Sequence, residues 1–126
     1  MCVRRGGFTL IELLVVLAIV ALLLTLALPR YFVSIEVAKE RVLVENLRTT
    51  RDAIDKFYAD QSRYPLTLDE LVKRRYLRSV PADPLTDRTD TWVLVAPPGG
   101  KGGGAVYDVR SGAPGQARDG SPYASW

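Results

Sequence analysis

The carboxylate of Glu12 lies in a segment where a charge is costly. Between Phe8 and Leu28, Glu12 is the only charged residue, and apart from it only Thr9 and Thr25 are polar. An acidic residue in a membrane-spanning helix costs about 3 kcal/mol even on lenient insertion scales, and such residues usually have a functional partner. The pattern therefore points to neutralisation of a buried carboxylate by a cation.

The apolar run around Glu12 is long enough to cross a membrane. From Phe8 to Leu28 it has about 21 residues, which is roughly 31 Å of helix against a hydrocarbon core of about 30 Å. Two other interpretations use the same segment: an ordinary single-span anchor, and a secretory signal peptide cut after residues 25–27. The length of the run, its acid and the helical pattern that continues after Pro29 argue against a signal peptide.

Residues 7–12, Gly-Phe-Thr-Leu-Ile-Glu, follow a basic pair and precede the apolar run. This combination resembles the class III signal of type IV pilins and type II secretion pseudopilins. The resemblance implies cleavage by a prepilin peptidase after Gly7, N-methylation of the new N-terminus at Phe8, and roles in assembly for Phe8, Glu12 and Pro29. Cleavage would free an ammonium group one helical turn from Glu12, so the amine of one subunit could neutralise the carboxylate of its neighbour in a filament core.

The composition argues against enzymatic chemistry. The 126 residues include no histidine, and the single cysteine, Cys2, lies in the predicted leader. The commonest general base is therefore missing, and the mature chain can form no disulfide. Two of the 17 basic residues, Arg4 and Arg5, also lie in the leader, so the mature chain with its 14 acidic residues is nearly neutral. We expect no nucleic-acid binding and no enzyme.

The basic pair also predicts the membrane orientation and the domain boundaries. Positive residues ahead of a span favour its cytoplasmic side, so we expect a single inner-membrane span with the N-terminus in the cytoplasm and the C-terminal domain in the periplasm. The predicted segments are a cleaved leader at residues 1–7, a transmembrane and filament-core helix at residues 8–28, and a periplasmic pilin-like domain at residues 29–126.

Behind Pro29 the pattern becomes amphipathic, which predicts that the helix continues over residues 29–60 with a bend at the proline. Its apolar residues recur at spacings of three and four and are predicted to cover the core of the domain. They are Phe32, Ile35, Val42, Leu43, Leu47, Ile54, Phe57 and Tyr58.

The remaining elements are short. Thr67 and Glu70 form a capping-box pattern that predicts a helix over about residues 67–76. Two β-branched and aromatic segments predict a hairpin over about residues 92–109, and residues 110–126 read as an irregular tail. The predicted fold class is α+β and type IV pilin-like: a long N-terminal helix packed on a small antiparallel sheet.

The resemblance implies a structural subunit of a type II secretion system that polymerises into a periplasmic pseudopilus driving protein export. The implied partners are copies of the chain itself, minor pseudopilins, the prepilin peptidase and an inner-membrane assembly platform. Two alternatives stay open: a major or minor type IV pilin for adhesion, motility or DNA uptake, and a membrane-anchored periplasmic binding module. The missing disulfide favours the pseudopilus, because many type IV pilins close a C-terminal loop with one.

Major pseudopilins also bind calcium in loops near the C-terminal strand. Calcium takes about six to eight oxygen ligands, whereas beyond Val95 this chain has only two acids. The weak candidates are Asp83, Asp87, Asp90, Asp108 and Asp119. We interpret Asp119 with its following glycine as a turn and the other acids as solvated or paired with Arg88, Arg110 and Arg118. We therefore predict no cofactor.

Overall fold

The computed structural model describes residues 6–100 and 105–126 and divides into two compact units, one ending at Val37 and one from Ala38 to Trp126. Its regular elements are helix α1 (Leu10–Gln61), helix α2 (Leu68–Lys73) and strands β1 (Val93–Val95) and β2 (Asp108–Arg110). Short 3-10 turns cover Pro98–Gly100 and Tyr123–Ser125. The predicted α+β, pilin-like fold class is confirmed. Most of the predicted leader and the tip of the predicted hairpin lie outside the described residues.

Helix α1 begins at Leu10 because Thr9 caps it. The Thr9 hydroxyl oxygen accepts a hydrogen bond from the Glu12 backbone N–H at 3.1 Å, which satisfies one of the amide groups that a helix start leaves without a partner. The predicted start at Phe8 is thus two residues too early. Glu12 falls in the first turn, where its negative charge interacts favourably with the helix dipole.

Helix α1 continues through Pro29 without a break in its helical residues and ends at Gln61. Proline has no N–H to donate to the carbonyl four residues earlier, and its ring crowds that carbonyl. The bend that we expect at this position stays a prediction. The helix ends where Ser62 adopts a left-handed backbone conformation with φ of 54°.

The core of the second unit lies against one face of α1, formed by Leu43, Leu47, Thr50, Ile54 and Phe57. The other buried apolar residues of this core include Leu71, Leu77, Trp92, Val106 and Val109.

The buried face differs from the predicted apolar stripe at three positions. Phe32 lies in the first unit and is 60% exposed, so it does not cover the core. Val42 is 48% exposed and Tyr58 is 46% exposed. Each is one residue away from a buried position, and one residue turns the side chain by about 100° around a helix. The ring of Tyr58 instead stacks on Tyr64, with 4.5 Å between the ring centroids.

Helix α2 is capped as predicted but is shorter. The Thr67 hydroxyl oxygen accepts from the Glu70 backbone N–H at 3.2 Å, while the Glu70 carboxylate accepts from the Leu66 N–H at 2.9 Å. The helix ends at Lys73 rather than near Tyr76. The reason is a left-handed residue, Arg75 with φ of 66°.

Strands β1 and β2 form a two-stranded antiparallel sheet in which Leu94 is opposite Val109. Arg51 of α1 holds this sheet: its Nε donates to Asp108 Oδ1 at 2.7 Å and its guanidinium also donates to the Val109 carbonyl at 2.9 Å. Trp92 lies just before β1 and donates from Nε1 to the Pro81 carbonyl at 2.8 Å. Strand β1 does not include Trp92, which packs in the core. Strand β2 begins only at Asp108, since the Val106 N–H donates to the Pro65 carbonyl at 2.7 Å instead.

The adjacent residues Leu43 and Val44 provide a test of the buried face. Leu43 is 0% exposed and Val44 is 51% exposed. We expect Leu43→Ala to lower the free energy of unfolding of the second unit by about 2–5 kcal/mol, because it leaves a cavity in the core. Val44→Ala should change it by about 0.5 kcal/mol or less. Denaturant unfolding of the full chain in detergent measures both, and equal effects would contradict this assignment of the core.

Candidate functional site

The N-terminal segment contains a glycine that the fold does not require. A Cβ atom added at Gly7 would meet nothing within 4 Å, and Gly7 is not among the residues with positive φ. The same open space surrounds Gly6. Packing and backbone conformation therefore give no reason for glycine at position 7, so any requirement for it has to come from another molecule.

The surface of α1 from Leu10 to Leu28 is apolar on every side apart from Glu12 and Thr25. The aliphatic side chains from Leu10 to Leu28 are between 46% and 75% exposed, and Phe8 is 86% exposed. Helix α1 is long and apolar enough to cross a membrane, and the chain itself buries none of the most apolar 18 residues of this helix. This surface requires lipid or other protein chains as its environment.

Glu12 is the one acid on this apolar surface. The ion pairs found among the described residues join Arg51 to Asp108, Arg63 to Glu70 and Arg88 to Asp90, and none of them involves Glu12. The Thr9 cap fixes the backbone at Glu12, so its carboxylate is held in the first turn. Of the predicted assembly residues, Phe8 lies two residues before the helix, Glu12 lies in its first turn and Pro29 lies within it.

Among the calcium candidates, Asp83 is the one that the structure buries completely. Its side chain is 0% exposed. Oδ1 accepts from the Leu85 N–H at 2.9 Å, and Oδ2 accepts from the Ser111 hydroxyl at 2.7 Å. Our interpretation of Asp83 as solvated or paired with an arginine is therefore wrong. The proline-rich loop that carries it folds against the C-terminal residues.

The other candidates have separate partners. Asp90 pairs with Arg88, as expected, and the guanidinium lowers the pKa of this carboxyl below its usual value. Asp108 pairs with Arg51, rather than with Arg88, Arg110 or Arg118. Asp119 accepts from the Ser121 N–H and hydroxyl, which lowers the pKa of its carboxyl.

The acidic side chains within the described residues are not arranged as the ligands of a calcium site. No three acidic, histidine or cysteine side chains converge there, while Asp87 is exposed with a left-handed backbone, φ being 55°. The carboxylates of Asp83, Asp90, Asp108 and Asp119 are each bonded to other protein groups. Calcium requires several oxygens around one point, and this arrangement disperses them.

Two residues that organise the C-terminus, Glu40 and Ser111, are not among the predicted site residues. The Glu40 carboxylate accepts hydrogen bonds from the Arg118 N–H and the Tyr123 hydroxyl, both at 3.1 Å. Ser111 bonds to Asp83 as described above. Neither has a local sequence signal, because Glu40 is one of many charged residues on α1 and Ser111 lies in an irregular segment.

Comparison with known proteins gives consistent matches. Residues 2–28 match the family model of the prokaryotic N-terminal methylation motif. Type II secretion system core protein G of Escherichia coli (strain K12) is 30% identical over 127 residues, covering 88% of this chain and 83% of that protein. Its counterpart in Aeromonas hydrophila is 31% identical over 97 residues, covering 64% and 68%. Competence protein ComGC of Halalkalibacterium halodurans is 32% identical over 74 residues, covering 59% and 72%. No solved structure matches.

A methylation-type N-terminus on a long apolar helix, followed by a small antiparallel sheet, defines a type IV pilin-like protein. Within that class the chain belongs to the family of type II secretion system core protein G, the major pseudopilins, since a member is 30% identical across 88% of the chain. The resemblance stated from residues 7–12 is thereby confirmed.

The dispersed acids lead to a prediction about calcium. We expect the mature protein in detergent to melt at the same temperature in chelator and in millimolar calcium, with magnesium as the control for ionic strength. A site at a hundredfold excess of ligand over its dissociation constant would add about 2.7 kcal/mol, which is several degrees for a domain of this size. A rise of several degrees that is specific to calcium would contradict the prediction.

Proposed function

We propose that this chain is the structural subunit of a type II secretion pseudopilus, processed after Gly7 and polymerised through α1 into a periplasmic filament that drives protein export. The observation that carries the proposal is the apolar surface of α1 from Leu10 to Leu28, which the chain leaves exposed and which holds one carboxylate, Glu12. The relatives named type II secretion system core protein G support the choice of system.

The same helix serves two environments in this proposal. Before assembly it anchors the subunit as a single span in the inner membrane, with the N-terminus in the cytoplasm and the C-terminal domain in the periplasm. After assembly it packs against the helices of other subunits in the filament core. Aliphatic side chains suit both, because lipid tails and a protein core are similarly apolar.

Glu12 distinguishes these two environments. In the membrane its carboxylate lies near the interface, where water can solvate it. In the filament core water is excluded, and the ammonium of Phe8 from a neighbouring subunit supplies the opposite charge. The Thr9 cap keeps Glu12 in the first turn, close in sequence to the amine that cleavage creates.

The further partners follow from this role. The prepilin peptidase cuts and methylates the subunit, minor pseudopilins associate with the filament, and an inner-membrane platform drives assembly. The chain itself performs no catalysis, which agrees with the absence of histidine from its sequence and with relatives whose names describe a secretion component.

A second candidate function is a pilin of a DNA-uptake system. It is supported by the similarity to a competence protein, which covers 59% of the chain, less than the 88% covered by the E. coli secretion protein. Deletion of the gene separates the two functions. Loss of exoprotein export with unchanged DNA uptake supports the pseudopilus, and the reverse outcome supports the competence pilin.

Processing gives a direct prediction. Intact-mass measurement of the protein from membranes should show loss of residues 1–7 and gain of one methyl group. Gly7→Leu should leave the precursor uncut, since the fold tolerates a side chain there and only the peptidase requires glycine. Gly6→Leu, which also meets open space, is the matched control and should be cut. A mature protein starting near Leu28 would instead support a signal peptide.

Glu12 gives the second prediction. Glu12→Ala should leave membrane insertion and the second unit intact, but filaments should fail to form. The variant leaves the Phe8 ammonium unpaired in the core, and loss of one partner of a buried pair costs about 3–5 kcal/mol. Glu36→Ala, an exposed acid of the same helix beyond the apolar run, is the control. Counting filaments by electron microscopy measures both, and normal filaments from Glu12→Ala would refute the pairing.

A further inference from the structure

The part of the C-terminal tail that follows strand β2, residues 111–126, has little regular structure but is bonded to the rest of the second unit at two places. The first attachment is the hydrogen bond of 2.7 Å from the Ser111 hydroxyl to Asp83. Both residues are 0% exposed. The Ser111 hydroxyl oxygen also accepts from the Ala113 N–H at 3.1 Å, so a single buried carboxylate orders the first turn of the tail.

The loop that presents Asp83 is itself held in place. The Asp83 N–H donates to the Arg88 carbonyl at 2.9 Å, and the Asp83 carbonyl accepts from the Asp87 N–H at 2.8 Å. The carboxylate therefore belongs to a closed turn rather than to a free loop. No buried side-chain nitrogen or oxygen among the described residues lacks a hydrogen-bond partner, so the bonds around Asp83 form a satisfied buried network.

Gly112 allows the tail to pass close to this region. A Cβ atom at Gly112 would lie 1.9 Å from the Thr91 carbonyl oxygen, which is far inside van der Waals contact. The backbone of the tail thus runs directly against the backbone at Thr91, and only glycine fits there.

The second attachment joins the far end of the tail to α1. Glu40 Oε1 accepts from the Arg118 N–H and from the Tyr123 hydroxyl, both at 3.1 Å. Around these contacts the tail closes on itself: the Ala117 N–H donates to the Ser121 carbonyl at 2.8 Å, and Trp126 Nε1 donates to the Ser121 hydroxyl at 2.9 Å. Hydrogen bonds to a charged acceptor are stronger than those between neutral groups.

These two attachments hold the tail through hydrogen bonds to carboxylates of the protein itself. We propose that the tail is fastened by a metal-independent latch, in which Asp83 and Glu40 receive hydroxyl and amide donors of the tail in place of a bound cation. A carboxylate that already accepts two protein donors has fewer oxygen lone pairs left for calcium. The latch is a property of the folded chain and does not depend on which secretion or pilus system uses it.

Limited proteolysis of the mature full-length protein in detergent tests the latch. Trypsin cleavage after Arg118 requires this part of the tail to open locally, and release of residues 119–126 is followed by mass spectrometry. We expect Glu40→Ala to speed this release roughly tenfold, because it removes two hydrogen bonds to a charged acceptor. Glu45→Ala, an exposed acid on the same helix, is the matched control and should cleave like the unmodified protein.

Ser111→Ala tests the first attachment and should also speed release. If this variant does not fold, Glu40→Ala decides alone, because Glu40 is only half-buried and its loss leaves the core intact. The unmodified protein should be cleaved at the same rate in chelator, millimolar calcium and millimolar magnesium. The proposal is overturned if calcium slows cleavage of the unmodified protein, or if Glu40→Ala cleaves no faster than Glu45→Ala.

Discussion

The exposed apolar surface of α1 between Leu10 and Leu28 is the constraint on which the rest of this protein depends. Burial of apolar surface is the dominant favourable term in folding and association, yet this segment buries nothing within its own chain. The apolar surface of this segment can therefore be removed from water only in a membrane or in an assembly with other chains. Gly7, which the fold does not need, and Glu12, the single acid of the apolar run, are both consistent with a segment that interacts with other molecules.

The second unit satisfies the opposite requirement, since it forms its own core. One face of α1 contributes Leu43, Leu47 and Phe57 to that core, and Arg51 bonds the helix to the sheet through Asp108 and the Val109 carbonyl. A small domain without a disulfide needs other means to hold irregular segments. Here buried and half-buried carboxylates serve that purpose, since a charged acceptor can order several backbone donors at once.

The parts predicted from sequence are those encoded locally. The capping pattern at Thr67, the apolar run and the N-terminal signal each lie within a short window, so periodicity and motif were sufficient. The bonds from Ser111 to Asp83, from Tyr123 to Glu40 and from Arg51 to Asp108 join residues far apart in the sequence. Single-sequence patterns carry no information about such pairs, because any of several acids could receive any of several donors. This lack of long-range information also explains why Arg51 was not among the arginines expected to pair with the acids.

A uniformly aliphatic helix surface cannot by itself define how subunits align. Dispersion and hydrophobic contacts between Leu, Val and Ile side chains are nondirectional, so a shift of one helical turn exchanges one apolar contact for another at small cost. A buried charge changes this balance. In the filament that we propose, each misaligned arrangement would leave Glu12 and the neighbouring Phe8 ammonium unpaired, and an unpaired buried charge costs about 3–5 kcal/mol. Under this proposal a single carboxylate would select one register among many, and this specificity would account for a charge in a segment that otherwise excludes them.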